Sequence, residues 1–206
     1  MNNYYHRANF LISAAKTAQF PNDSAGEVAF AGRSNAGKSS ALNTLCQNKS
    51  LARTSKTPGR TQLINFFSLD NDRRLVDLPG YGYAKVPLAV RDGWLKLMEN
   101  YLGYRENLRG LIIIMDIRHP LTNYDWNMLN WCAHYKKPVH ILLSKSDKLS
   151  RGAAAAALQS VRNTLKTDAP YASVQIYSSL YKVGVEDLEV VLNNWLEIIP
   201  RDLSAG

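Results

Sequence analysis

Lys38 and Ser39 close the run Gly32-Arg33-Ser34-Asn35-Ala36-Gly37-Lys38-Ser39, which satisfies every fixed position of G-x-x-x-x-G-K-[ST]. Glycine at Gly32 and Gly37 lets the backbone take unusual torsions and come close to phosphate oxygens with no Cβ in the way. The N–H groups exposed by such a loop converge on an anion, helped by the positive end of the following helix. A lysine placed like Lys38 reaches terminal phosphates, and a hydroxyl placed like that of Ser39 ligates Mg²⁺. This loop needs a strand before it and a helix after it. Glu27–Ala31 (EVAFA) reads as a buried β-strand, and the small, apolar stretch Ser40–Cys46 suits the first turns of a helix. Gly32–Ser39 is therefore expected to bind the phosphates of a nucleotide.

Two further segments fit the same chemistry. Asp77-Leu78-Pro79-Gly80 follows a strand-like run about forty residues downstream, where an Asp holds the Mg²⁺ shell and a glycine N–H senses a γ-phosphate. Ser144-Lys145-Ser146-Asp147 follows the apolar run Val139–Leu143. A carboxylate there accepts hydrogen bonds from N1–H and the 2-amino group of guanine, whereas adenine offers neither donor and turns a lone pair to the charge. Asp147 would thus select guanine, with the Lys145 stem against the base face. Tyr177, Ser178 and Ser179 end the last strand-like run and form a weaker candidate for a final base-contacting loop. His6, His119, His134 and His140 are scattered, and neither a Ser/His/Asp arrangement nor H-E-x-x-H is present.

The elements around these residues alternate between strand-like and helix-like runs, which indicates α/β architecture. A hairpin is expected where Gln62–Leu69 and Arg74–Leu78 flank Asp70-Asn71-Asp72-Arg73. Leu111–Ile117, Val139–Leu143 and Ser173–Tyr177 read as buried strands of a parallel sheet. Helices are expected up to about Arg105, after a Thr122 N-cap with Met128, Leu129 and Cys132 inward, over Ala153–Ala157, and at the end with Val185, Leu188, Leu192, Trp195 and Ile199 on one face. Gln47–Thr61 and Pro79–Ala89 read as loops. The domain reading is a poorly periodic lead-in over 1–25, one nucleotide-binding domain over 26–200, and a tail over 201–206.

With 206 residues, 46% of them hydrophobic, the chain can bury a sizeable core. The longest strongly apolar run, Leu111–Met115, is too short to span a bilayer. Met1–Arg7 has no apolar h-region, and Cys46 and Cys132 have no metal or redox spacing, so a cytoplasmic protein with thiols as core filler is expected. The net charge is +8, and Val28–Leu69 holds no acidic residue but includes Arg33, Lys38, Lys49, Arg53, Lys56 and Arg60. Lys49–Arg60 exceeds what one nucleotide requires, which suits either a second polyanion or a solvated basic loop.

Taken together, GRSNAGKSS (Gly32–Ser40), TPGRTQLINFF (Thr57–Phe67), DLPGYGYA (Asp77–Ala84) and SKSD (Ser144–Asp147) resemble the translation-factor-like GTPases, and more closely the EngB (YihA/YsxC) group within the TrmE-Era-EngA-EngB-septin-like superfamily. The resemblance runs from about Asn9 to Ile199 and implies a Ras-like P-loop GTPase fold, a three-layer sandwich with a mostly parallel sheet and one antiparallel edge hairpin. It further implies a monomeric, Mg²⁺-dependent GTP/GDP switch that assists assembly of the large ribosomal subunit, touches its rRNA and protein surface, and is needed for normal division and septation. By that analogy Gly59, Arg60, Thr61, Gln62 and Leu63 close over the nucleotide, with Thr61 on Mg²⁺ and the γ-phosphate. Thr57 competes for that role, but Pro58 restrains it.

There are departures from the pattern. Ser144 stands where most GTPases carry Asn, which is expected to reduce base affinity, and Ser178-Ser179-Leu180 replaces S-A-K. Tyr81 stands where signalling GTPases place a water-orienting Gln, so intrinsic hydrolysis is expected to be slow. Asn35 implies either a K⁺ ion held against the phosphates, adding positive charge in the transition state, or a side chain that stabilises the loop. Two other readings are an ATP-dependent small P-loop kinase and a nucleotide-regulated RNA-binding module without useful turnover.

Overall fold

The computed structural model describes residues 3–52, 63–81 and 88–199. Seven strands form one sheet: β1 (Asn9–Ala14), β2 (Gly26–Gly32), β3 (Ile64–Ser68), β4 (Arg73–Asp77), β5 (Leu108–Asp116), β6 (Val139–Ser144) and β7 (Ala172–Ile176). The helices are α1 (Lys38–Leu45), α2 (Leu88–Tyr104), α3 (Asn123–His134), α4 (Arg151–Asp168) and α5 (Val185–Trp195). Strand order is β1-β3-β4-β2-β5-β6-β7. The β4–β2, β2–β5, β5–β6 and β6–β7 pairs are parallel, while β3 runs antiparallel to both of its neighbours.

Strand periodicity builds the layers. Successive side chains point to opposite faces, so Ala29 and Ala31 of β2 and Leu111, Ile113 and Met115 of β5 enter one core, lined by α2, α3 and α4. Val28, Phe30, Ile112 and Ile114 enter the other, lined by α1 and α5. Both faces of the central strands are covered, which is why they read as unbroken apolar runs. Cys46 and Cys132 lie one in each core, and burial pushes both thiols up to about 12. They pack as apolar side chains. Among the described residues no helix is long and apolar enough to cross a membrane.

Two local readings need correction. The stretch read as an unperiodic lead-in contains β1, which pairs with β3 at the sheet edge through a bulge between Phe10 and Ile12. Phe10, Leu11 and Ile12 are all exposed, so no inside–outside alternation marks the strand, and main-chain pairing holds it. Ile199 does not continue the buried face of α5. That helix ends at Trp195, Glu197 takes a positive φ of 53°, and Ile198 is buried in place of Ile199.

The N-terminal ends of β2 and β4 carry a polar cluster that the sequence reading missed. Fully buried Glu27 accepts hydrogen bonds from Arg74 Nη1 (3.2 Å), Arg105 Nη2 (2.6 Å) and Tyr101 Oη (2.9 Å). Arg74 also pairs with Asp23 at 2.5 Å. On the other edge, burial lowers the His140 pKa, and the ring lies 2.8 Å from Gln175 Oε1 and 2.7 Å from Ser173 Oγ.

Glu27→Ala leaves the buried Arg74 and half-buried Arg105 guanidiniums short of a counter-charge and should cost about 3 kcal/mol in urea unfolding. Nucleotide affinity should stay intact, because the cluster lies at the far end of the strands from Gly32 and Asp77. His140 gives a pH dependence of definite sign. Its folded pKa is below the ordinary 6.5, so the unfolded chain binds the extra proton. Its contribution to stability should be full above 6.5 and fall as pH drops below it, and His140→Gln should flatten that slope in urea melts between pH 7 and 5.

Candidate functional site

Gly32, Asp77, Asp116 and Ser144 are the last residues of β2, β4, β5 and β6, so four parallel strands bring the motif residues to one edge of the sheet. The loop between β2 and α1 places Gly37 at φ 104° as the N-cap of α1, a left-handed conformation that favours glycine. Gly32 has a packing constraint besides the phosphate approach expected of it. A Cβ there would lie 2.8 Å from the Ile114 carbonyl oxygen, so its glycine serves close packing of β2 on β5. Asn35 also has a left-handed backbone, with φ 64°, and asparagine tolerates that region better than most residues. The loop conformation by itself therefore accounts for Asn at this position.

Lys38 Nζ donates to Asp77 Oδ1, and the pair is largely shielded from water. Asn65 Nδ2 lies 3.5 Å from the other Asp77 oxygen. Ser39 follows Lys38 in the first turn of α1, so a hydroxyl and a carboxylate flank the lysine that would meet the phosphates. This set is made of oxygen donors. Among the described residues no group of three or more His, Cys, Asp or Glu could hold a metal. Few protein ligands, all oxygen, suit Mg²⁺, which keeps several waters and takes phosphate oxygens for the rest. Of the loop expected to close over the nucleotide, Gly59, Arg60, Thr61 and Gln62 (and the competing Thr57) lie outside the described residues, while Leu63 leads into β3 half-buried.

After β4 the chain stays against the phosphate loop. Leu78 N–H donates to the Phe30 carbonyl at 2.9 Å, and Pro79 is buried. Gly80 lies beside Gly32 and Ser34, since a Cβ built on it would be 3.6 Å from Gly32 O and Ser34 N. Tyr81 then pairs with Arg33 in a parallel bridge, and the Arg33 guanidinium lies 6.0 Å over the Tyr124 ring. The side chain of Tyr81 is buried, with its hydroxyl on Asp125.

The base-side motif is bonded to the phosphate loop. The buried Ser144 hydroxyl lies 2.5 Å from the Ala36 carbonyl and 3.0 Å from that of Met115, so this residue, expected to weaken contact with the base, braces the phosphate loop from below. Lys145 takes φ 59° and donates to the Asn35 carbonyl at 2.7 Å and to Asp116 at 3.0 Å. Ser146 N–H donates to the Tyr177 carbonyl, and Ser178 Oγ donates to Asp147 Oδ1 at 2.7 Å. That hydroxyl is the leading reason the Asp147 carboxyl is held below its usual pKa. Tyr181 N–H donates in turn to Ser178 Oγ at 3.3 Å. Ser179 follows, half-buried. The Tyr177 ring is fully buried with its hydroxyl toward the Ala41 carbonyl, so its side chain faces α1.

Two site residues, Asp116 and Asp125, escaped the sequence reading. Asp116 receives both arms of Arg118, at 2.9 and 2.7 Å, along with Lys145, and these cations hold its pKa well below the usual carboxylate range, Arg118 foremost. An aspartate closing an apolar strand was the available signal. Asp125 was signalled by Thr122-x-x-Asp125, a capping-box spacing.

Comparison with known proteins agrees with this geometry. Residues 27–145 match the family model described as 50S ribosome-binding GTPase. Among solved structures, the fold is similar to "a probable GTP-binding protein engB" at 18% identity and TM-score 0.66, covering 84% of this chain and 99% of that one. It is also similar to Era in complex with MgGDPNP and a segment of 16S ribosomal RNA, at 21% identity and TM-score 0.64, covering 84% and 57%. The G domain of the T. maritima FeoB iron transporter matches at 23% identity and TM-score 0.53, covering 82% and 98%. The family match spans more than half of the chain and includes the phosphate loop, Asp77–Gly80 and the start of the base motif, so this chain belongs to the 50S ribosome-binding GTPase family.

Proposed function

We propose that this GTPase is a guanine-selective switch with slow intrinsic hydrolysis, acting in assembly of the large ribosomal subunit. The observation that carries the guanine reading is the Asp147 carboxylate, ionised and oriented by Ser178, in a segment that Ser144 and Lys145 bond to the phosphate loop. A small ATP-dependent kinase has no use for a carboxylate prepared in this way.

In this reading Lys38 leaves Asp77 for the β- and γ-phosphates, and the N-terminus of α1 and the loop N–H groups take up the remaining charge. Ser39, Asp77 and Thr61 would hold Mg²⁺, which when bound would supply charge neutralisation of the phosphate oxygens. Gly80 N–H meets the γ-phosphate and Asp147 reads N1–H and the 2-amino group of the base. Slow turnover follows from Tyr81, whose hydroxyl is committed to Asp125 and cannot orient a water. Asn35 lies exposed in the loop, where its side chain can help hold K⁺. The ribosomal role, and with it the requirement in division and septation, rests on the family match, the EngB resemblance and the basic run Lys49–Arg60, since RNA contact begins with phosphate neutralisation. Action as a cytoplasmic monomer belongs to the same proposal. The Era complex holds 16S ribosomal RNA, which belongs to the small subunit, so likeness of fold does not choose the particle.

Titration with labelled GDP and ADP in Mg²⁺ buffer should show strong preference for GDP, and equal affinities would falsify the guanine reading. Ser178→Ala should weaken GDP about tenfold while leaving the melting temperature within a few degrees. Asp147→Asn should lose GDP by about a hundredfold or more and gain xanthosine diphosphate, whose 2-oxo group accepts from the new amide. Hydrolysis should be faster in KCl than in NaCl, and equal rates would remove the Asn35 role. Cosedimentation with the large subunit should require the GTP state and weaken with salt.

A further inference from the structure

Tyr81 is fastened at both its main chain and its side chain. Its N–H donates to the Gly32 carbonyl at 3.2 Å, and its own carbonyl accepts from Ser34 N–H at 3.1 Å. The ring is 4% exposed and its hydroxyl donates to Asp125 Oδ1 at 2.8 Å. Burial, reinforced by the Asp125 charge, holds this phenol well above its ordinary pKa, so it remains a donor. Asp125 is 1% exposed, and its second oxygen accepts from the backbone N–H of Thr122 at 2.8 Å and the Thr122 hydroxyl at 2.7 Å, closing the first turn of α3. Volume alone does not account for this pair. Phenylalanine would fill the same space, and a buried carboxylate is costly unless its partners are specific.

Gly80, the residue that meets the γ-phosphate in the reading above, directly precedes this anchor. We propose that Tyr81 and Asp125 are positioning residues for triphosphate recognition, pinning the chain after Gly80 to the phosphate loop and to the first turn of α3. The Gly80 N–H is thereby presented at a fixed place. A diphosphate makes no contact there, so GDP binding is independent of the pin, while GTP binding and the hydrolytic step depend on it. The proposal rests on the GTP reading and goes beyond it by assigning a source for the discrimination between the two nucleotides.

The test uses the full chain with Mg²⁺, titrated with GDP and with a non-hydrolysable GTP analogue, together with kcat and KM for GTP. Tyr81→Phe should lower analogue affinity about tenfold, the size expected for a hydrogen bond to a charged group, and lower kcat, with GDP affinity within twofold of wild type. Asp125→Asn keeps an oxygen for the Tyr81 hydroxyl and should recover most of the analogue affinity that Asp125→Ala loses. Tyr81→Phe combined with Asp125→Ala should be no worse than Asp125→Ala alone, because both remove the same bond. Equal losses of GDP and analogue would assign the pair a purely structural role and overturn the proposal, as would unchanged analogue affinity. If Tyr81→Phe does not fold, the contrast between Asp125→Asn and Asp125→Ala decides the matter by the same ratio. A wild-type protein that fails to prefer guanine would remove the underlying reading and this proposal with it. A guanine-selective wild type with unaffected variants would remove this proposal alone.

Discussion

Two hydrogen bonds hold the site together, from the Ser144 hydroxyl to the Ala36 carbonyl and from Lys145 Nζ to the Asn35 carbonyl. A nucleotide carries its charge at one end and its identity at the other, so a cradle and a base reader are useful together only at a fixed separation. The sheet supplies the coarse separation by ending β2, β4, β5 and β6 on one edge, the usual place for ligands in open α/β sheets. The two bonds supply the fine one. Both end on carbonyls of the phosphate loop, so the loop is tied through its oxygens to the base motif. Asp116 completes the tie, since Lys145 could not hold its position on the loop without a counter-charge beside it.

The central strands β2 and β5 are apolar on both faces through their middles, and charged clusters gather at their two ends. The two ends use their charges differently. At the N-terminal end Glu27, Arg74, Arg105 and Tyr101 satisfy one another from several elements at once, which makes a rigid staple. At the C-terminal end Lys38 and Asp77 satisfy each other as a single pair on neighbouring strand and helix ends. A pair of that kind is exchangeable. In the proposed function a Mg²⁺-triphosphate would offer the lysine an anion and the carboxylate a cation, so that neither group would be stranded in a poorly hydrated place.

The edge of the sheet where the motifs gather was legible from sequence because the strands before them have recognisable apolar runs, as with Val28–Ala31 before the phosphate loop and Val139–Leu143 before Ser144. Fixed residue types after a strand end carry their own geometry. Legibility failed where main-chain pairing or side-chain partnership decided the outcome. The β1 strand has no alternating pattern because Phe10, Leu11 and Ile12 are all exposed on an edge. Ile199 fits the helical spacing of α5, but a positive φ at Glu197 breaks the count before it is reached. Asp116 and Asp125 are ordinary in sequence, and only the fold reveals that one faces Lys145 and Arg118 and the other Tyr81. The glycine at Gly32 was read as a phosphate contact, yet the atom that forbids a Cβ there belongs to β5.

Ser144 shows how a departure from a motif is to be read once its surroundings are known. The expectation was a lost contact to the base, because serine is shorter than asparagine. In the fold the hydroxyl lies under the phosphate loop and is 3% exposed. An asparagine amide has two donor hydrogens and a separate acceptor, whereas a hydroxyl has one hydrogen to give. That hydrogen is contested by the Ala36 and Met115 carbonyls, at 2.5 and 3.0 Å. Serine therefore ties the loop to one carbonyl at a time, and any weakening of nucleotide binding it causes is transmitted through the cradle. The Asp147 carboxylate, the proposed base reader, has an independent support in Ser178, whose hydroxyl accepts from Tyr181 N–H. In the proposed function, affinity and selectivity would thus rest on different hydroxyl groups, Ser144 under the phosphate loop and Ser178 beside Asp147.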